Sequence, residues 1–145
     1  MTRTEQAVSL FKQGCSCSQA IVAAFTPSLG LDRDTALKIA SGFGGGMGRL
    51  AETCGVVTGA FMVLGLKYGS TTTDKQAKEA IYARVREFAQ RFRGHHGSIL
   101  CRDLLGCDLS TPEGLALAQE KKLFSTACPP YAETAARILE GMLHD

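Results

Sequence analysis

Six cysteines, Cys15, Cys17, Cys54, Cys101, Cys107 and Cys128, are the residues of this chain best suited to chemistry. A thiolate attacks disulfides and binds soft metals, so the question is which of the six the protein holds charged. Three fall at expected helix starts: Cys17 follows the capping candidate Ser16, Cys128 precedes Pro129, and Cys101 stands three residues after Ser98. Unpaired amides and the positive end of the helix dipole favour thiolate at such positions. Arg102 would push Cys101 the same way if the two side chains approach. Cys54 is placed in the early part of a central helix, ahead of Gly55 and Gly59. Those glycines are four apart and share one face, which makes room for another helix, a second sulfur or a small cofactor. Cys15 and Cys107 have no such context and read as small buried apolar residues.

Spacing narrows the chemistry. No C-x-x-C is present, so neither a thioredoxin motif nor paired zinc knuckles are supported. A metal centre would have to gather single ligands from separate helices. His95 and His96, between Gly94 and Gly97, read as exposed loop residues. The stretch Gly42 to Gly48 is glycine-rich but lacks the lysine and Ser/Thr ending of a P-loop, and no strand precedes it. As a loop over Gly44–Gly48 feeding a helix, it could still hold an anion or give a cofactor access to backbone.

A chain of 145 residues with 45% hydrophobic and 21% charged composition suits one globular domain spanning 1–145. A formal charge of +2 gives no reason to expect nucleic acid. The longest apolar run, Val56 to Leu66, is about half the roughly 20 residues needed to cross a bilayer, so it reads as a buried core helix without membrane insertion. No secretory signal is visible. A cytoplasmic chain is expected, in which thiols stay reduced and six cysteines are not a disulfide framework.

Helical periodicity dominates. Ile81, Val85, Phe88 and Phe92 form a stripe on a helix over Asp74–Arg93, whose basic surface is read as solvated. Ala36, Ile39, Ala40 and Phe43 make a second stripe, capped by Asp32 or Asp34. Tyr131, Ala135, Ile138 and Met142 make a third. Short helices are expected over Thr4–Lys12, from the Ser16/Gln19 capping box through Phe25, and from Thr111-Pro112 to about Leu123. The central helix is expected over Leu50–Tyr68. The fold class that follows is all-α, a single compact bundle of about six to seven helices.

Cysteines and glycines together resemble a known family, the small bacterial and archaeal redox-active proteins labelled C-GCAxxG-C-C. The likeness runs from Gly14-Cys15-Ser16-Cys17 through Gly44–Arg49 and Cys54–Gly59 to Cys101–Gly106 and Cys128–Tyr131. Val56 departs from the family's usual alanine by two methyl groups, which narrows any pocket beside Cys54. The resemblance implies an all-helical fold and marks Cys17, Cys54, Cys101 and Cys128 as the functional set. Related domains accompany split-Soret cytochromes, which points towards iron. The first expectation is that these four cysteines bind an iron–sulfur cluster, with Gly55 and Gly59 beside it, for electron transfer or redox sensing with a partner protein. The second is a metal-free thiol–disulfide oxidoreductase, with Cys101 as nucleophile and Cys128 or Cys54 resolving. The third is a non-catalytic helical module that docks a partner or a second copy as a homodimer, with zinc on the same cysteines as a structural variant.

Overall fold

Side-chain oxygens start the first helices where the sequence places them. The computed structural model describes residues 1–144. Helix α1 (Arg3–Lys12) begins at Thr2 and α2 (Cys17–Phe25) at Ser16, each through a reciprocal capping box, with Glu5 and Gln19 respectively. A 3₁₀ turn over Pro27–Leu29 leads to α3 (Arg33–Ala40), capped by Asp32. After it come the single turn α4 (Gly44–Met47) and the central helix α5 (Gly55–Tyr68). The longest helix, α6 (Lys75–His96), is capped by Asp74, and the short α7 (Cys101–Leu105) follows. Thr111 caps α8 (Pro112–Glu120), and α9 (Leu123–Thr126) and α10 (Cys128–Met142) complete the fold. Among the described residues the fold is all-α, with seven helices of eight residues or more. An isolated antiparallel bridge joins Thr53 to Leu100.

Burial explains the order of packing. In α2, Ala20 to Phe25 are buried without interruption, and in α5 Val56, Val57, Ala60, Val63 and Leu64 are buried, so these two helices form the interior. The helix α5 is apolar on nearly every side, as suits an element enclosed by others. It packs on α2 along one side and on α6 and α10 along others, while α1 lies across α2 and α10. Phe25, Phe88, Phe92, Leu64 and Leu139 are fully buried, each contributing about 1.5–3 kcal/mol of burial free energy. Phe88 and Phe92 lie on the expected stripe of α6. No described helix is long and apolar enough to cross a membrane.

The glycine face of α5 receives α2. A Cβ at Gly59 would stand 3.0 Å from the Ser18 carbonyl oxygen and 3.2 Å from the Ile21 Cβ. At Gly55 it would stand 3.1 Å from the Cys17 Cβ. The two glycines therefore bring the start of α2 against the start of α5, and with it Cys17 towards Cys54.

Five local expectations change. The central helix starts at Gly55, not Leu50, and Cys54 is its cap residue rather than part of its first turn. The cause lies upstream: Gly45 to Arg49 all stand at φ between 62° and 71°, a left-handed turn, and Ala51 returns to φ 61°. This turn closes with Glu52 donating to the Gly46 carbonyl at 3.0 Å, which right-handed helix cannot follow directly. His95 and His96 end α6 instead of lying in a loop, because Gly97, at φ 82°, is the residue that stops it. Ser98 does not cap α7. Leu100 precedes it, and the Ser98 hydroxyl accepts from the Leu100 amide. Ile39 is 53% exposed, so the α3 stripe reduces to Ala36 and Ala40. Helix α8 stops at Glu120, short of Leu123, and Lys122 takes a left-handed φ of 55°.

Candidate functional site

Cys17, Cys54, Cys101 and Cys128 come from four separate helix starts and line one cavity of about 720 Å³, together with Cys15. Each is placed by a distinct local device. The Ser16 capping box sets Cys17 as the first residue of α2. Cys54 and Cys101 are set against each other by the Thr53–Leu100 bridge: the Cys54 amide donates to the Ile99 carbonyl at 2.8 Å, and the Cys101 amide to the Glu52 carbonyl at 2.7 Å. Cys128 opens α10, and three residues on the Tyr131 hydroxyl donates to the Leu104 carbonyl at 2.6 Å, tying α10 to α7. Gly46 seals this assembly. A Cβ there would lie 2.7 Å from the Cys101 Cβ, so only glycine lets the left-handed turn reach the sulfur wall.

The thiols are not equivalent. The Cys17 sulfur accepts a hydrogen bond from the Cys54 thiol, which lowers its pKa to about 7 in spite of burial; the backbone amides of Gly45, Gly55 and Cys17 itself act in the same direction. Cys54 is pushed the other way by the same hydrogen bond, then by burial and by the charge on Cys17. Burial pushes Cys101 up to about 12, with the charges of Cys17, Cys107 and Asp108 adding to it. Burial likewise pushes Cys128 up to about 12, aided by Cys17, Cys101 and Cys107. Of these four thiols, Cys17 is therefore the one that ionises most readily. Arg102 gives Cys101 no help, since its guanidinium turns to Glu52 at 3.5 Å. The charge expected at Cys101 falls on Cys17.

Gly55 lies at this centre, its amide on the Cys17 sulfur and its α-carbon on the cavity wall. Gly59 does not line the cavity and serves the α2–α5 contact. Cys15, expected as a small buried apolar residue, is instead partly buried on the cavity wall, which Lys12 and Arg49 also line. Cys107, partly buried, packs with Leu105, Leu115 and Phe124 against the small cluster of Cys101, Leu109 and Ala118 rather than on the cavity, yet close enough to raise Cys101 and Cys128. The histidines take no part: His96 bonds Thr134 at 2.9 Å and packs edge-on against Tyr131.

The family model described as "Putative redox-active protein (C_GCAxxG_C_C)" matches residues 15–142. The chain belongs to this family. No curated protein and no solved structure is significantly similar to it. The matched span contains all six cysteines, including the five that line the cavity.

The donor set bears on what such a site can hold. Among the described residues no three His, Cys, Asp or Glu side chains gather as a single ion would require. Four thiols line one cavity, and the Gly45 and Gly55 amides are directed at one of them, Cys17.

Proposed function

We propose that this protein is a one-electron carrier or redox sensor whose Cys17, Cys54, Cys101 and Cys128 hold an iron–sulfur cluster. The observation that carries the reading is the convergence of four thiols from four helix starts on one cavity, where a dithiol exchange would need only two. Thiolates are the natural ligands of such clusters, which supply reversible one-electron exchange at a potential set by hydrogen bonding and burial. The chain's own part is to keep the sulfurs apart at fixed helix starts and to direct the Gly45 and Gly55 amides at Cys17. The apolar residues Phe11, Leu104, Leu109 and Phe124 line the same cavity.

Anaerobic purification with metal analysis and a visible spectrum on one sample tests this. Stoichiometric iron with sulfide-to-iron charge-transfer bands is the expected result. Protein that stays colourless after reconstitution with iron and sulfide would overturn it. Cys54→Ser should lose the iron while keeping the helical far-UV spectrum, and undiminished iron in that variant removes Cys54 from the ligand set.

One contact favours a second reading. The Cys17–Cys54 hydrogen bond places a thiolate beside a thiol, the pairing a disulfide exchange requires. Cys17 would attack a substrate disulfide and release one substrate thiolate. Cys54 would then give up its proton and attack the Cys17 sulfur, releasing the second substrate thiol and leaving a Cys17–Cys54 disulfide. Two electrons pass from protein to substrate. Peptide mass analysis of oxidised protein should find that bond, and finding Cys17 and Cys54 both reduced would exclude the reading.

A further inference from the structure

Beyond the sulfurs, of which Cys17 ionises most readily and then adds negative charge, the wall of the cysteine cavity carries fixed charge of one sign. Apart from the thiols and Tyr131, the ionisable residues that line it are Lys12 and Arg49, and no aspartate or glutamate does. Both side chains are exposed, and neither forms an ion pair with a carboxylate among the described residues. Lys12 also borders a neighbouring groove with Glu133 and Glu140, so part of its charge is answered there. Arg49 is the stronger cation of the cavity. It stands at φ 64°, a left-handed conformation unfavourable for a non-glycine residue, in a turn otherwise rich in glycine. The rest of the wall is largely apolar, from Phe11, Leu104, Leu105, Leu109 and Phe124. Low-dielectric walls of that kind focus the field of the charges at their rim. A volume of about 720 Å³ lies within the roughly 300–1,000 Å³ typical of small-molecule sites.

We propose that this cavity admits small carboxylate-bearing solutes in preference to neutral ones, with Arg49 and Lys12 as the selecting charges at its mouth. The inference rests on the redox reading for what the visitor does, as the molecule that exchanges electrons with the sulfur site, but the selection itself needs no cluster.

Cys15 supplies the readout, since it lines the cavity, is partly buried and lies outside the proposed ligand set. The purified protein, with whatever iron it carries, is treated in parallel with iodoacetate and with iodoacetamide. The rate constants at Cys15 are then read by peptide mass. The same sulfur displaces iodide from both reagents, so their ratio cancels its accessibility and its degree of ionisation. The iodoacetate/iodoacetamide ratio should be about tenfold higher than in the urea-unfolded chain, and should fall as salt rises. It should drop several-fold in Arg49→Gln and further in Lys12→Gln/Arg49→Gln, with far-UV spectra confirming that both variants fold. A ratio equal to that of the unfolded chain, or unmoved by these substitutions, overturns the proposal, and so does a Cys15 that neither reagent reaches. Iron-free protein with a high ratio sinks the cluster and keeps the selection. Iron-loaded protein with a flat ratio does the reverse.

Discussion

Four donors meet at the Cys17 sulfur, and only one belongs to its own residue. In the iron-free protein, labelling of Cys17 by a neutral electrophile should be half-maximal near pH 7, with thiolate present above that value and thiol below it. Cys54→Ala removes the largest of the causes and should move the midpoint up towards that of an ordinary thiol. Cys101 and Cys128 should stay unlabelled across the same range, because burial keeps them protonated up to about 12. Site-resolved mass analysis over a pH series checks all three statements. A helix start at Cys17 is legible from Ser16 and Gln19, which lie within one turn of it. The Cys54 and Gly45 donors are not, since chain separation says nothing of proximity. Adjacency misleads at Cys101 for a related reason: Arg102 is its neighbour in sequence, but Glu52 offers the guanidinium a charge partner that the buried thiol does not.

At the scale of elements, the contact between α2 and α5 positions the sulfurs, and Gly59, which lies off the cavity, tests it. Gly59→Leu drives a side chain into Ser18 and Ile21 and should cost about 3 kcal/mol, more than the helix propensity gained, measured as a lower urea midpoint at unchanged slope. The left-handed turn predicts the opposite sign. Arg49→Gly relieves an unfavourable φ at an exposed position and should stabilise the fold by about 1 kcal/mol in the same measurement, while removing the cavity's strongest cation. Caps such as Ser16, Asp32 and Thr111 were readable because each acts on an amide three residues away, whereas the Thr2 cap was not read. The start of α5 was not. Leu50 to Thr53 have nothing in their composition against a helix, and Met47, Arg49 and Ala51 adopt left-handed backbone that their own preferences oppose. Contacts made elsewhere, of Gly46 with Cys101 and of Thr53 with Leu100, hold that segment in place.

For the molecule as a whole, the cavity links folding to pH with two opposite signs. Cys101 and Cys128 ionise near 9 in the unfolded chain and near 12 in the folded one. Their contribution to stability is complete below about pH 9 and is lost as pH rises towards 12, because the unfolded state sheds protons that the folded state keeps. Cys17 behaves inversely: its contribution is present above about 9 and is lost as pH falls through about 7. The iron-free protein should therefore show a urea midpoint that declines between pH 9 and 11. Cys101→Ala and Cys128→Ala should each flatten that decline relative to the parent, a comparison in which lysine and tyrosine titration cancels. Iron separates this from a purely structural role for the thiols. Metal ligation requires deprotonated sulfur, so loading displaces those protons in advance. If Cys101 and Cys128 are ligands, the loaded protein has no thiol protons there to retain, and their share of the alkaline decline disappears. If the decline is the same with and without iron, the two cysteines are buried packing residues and the ligand set is smaller than four.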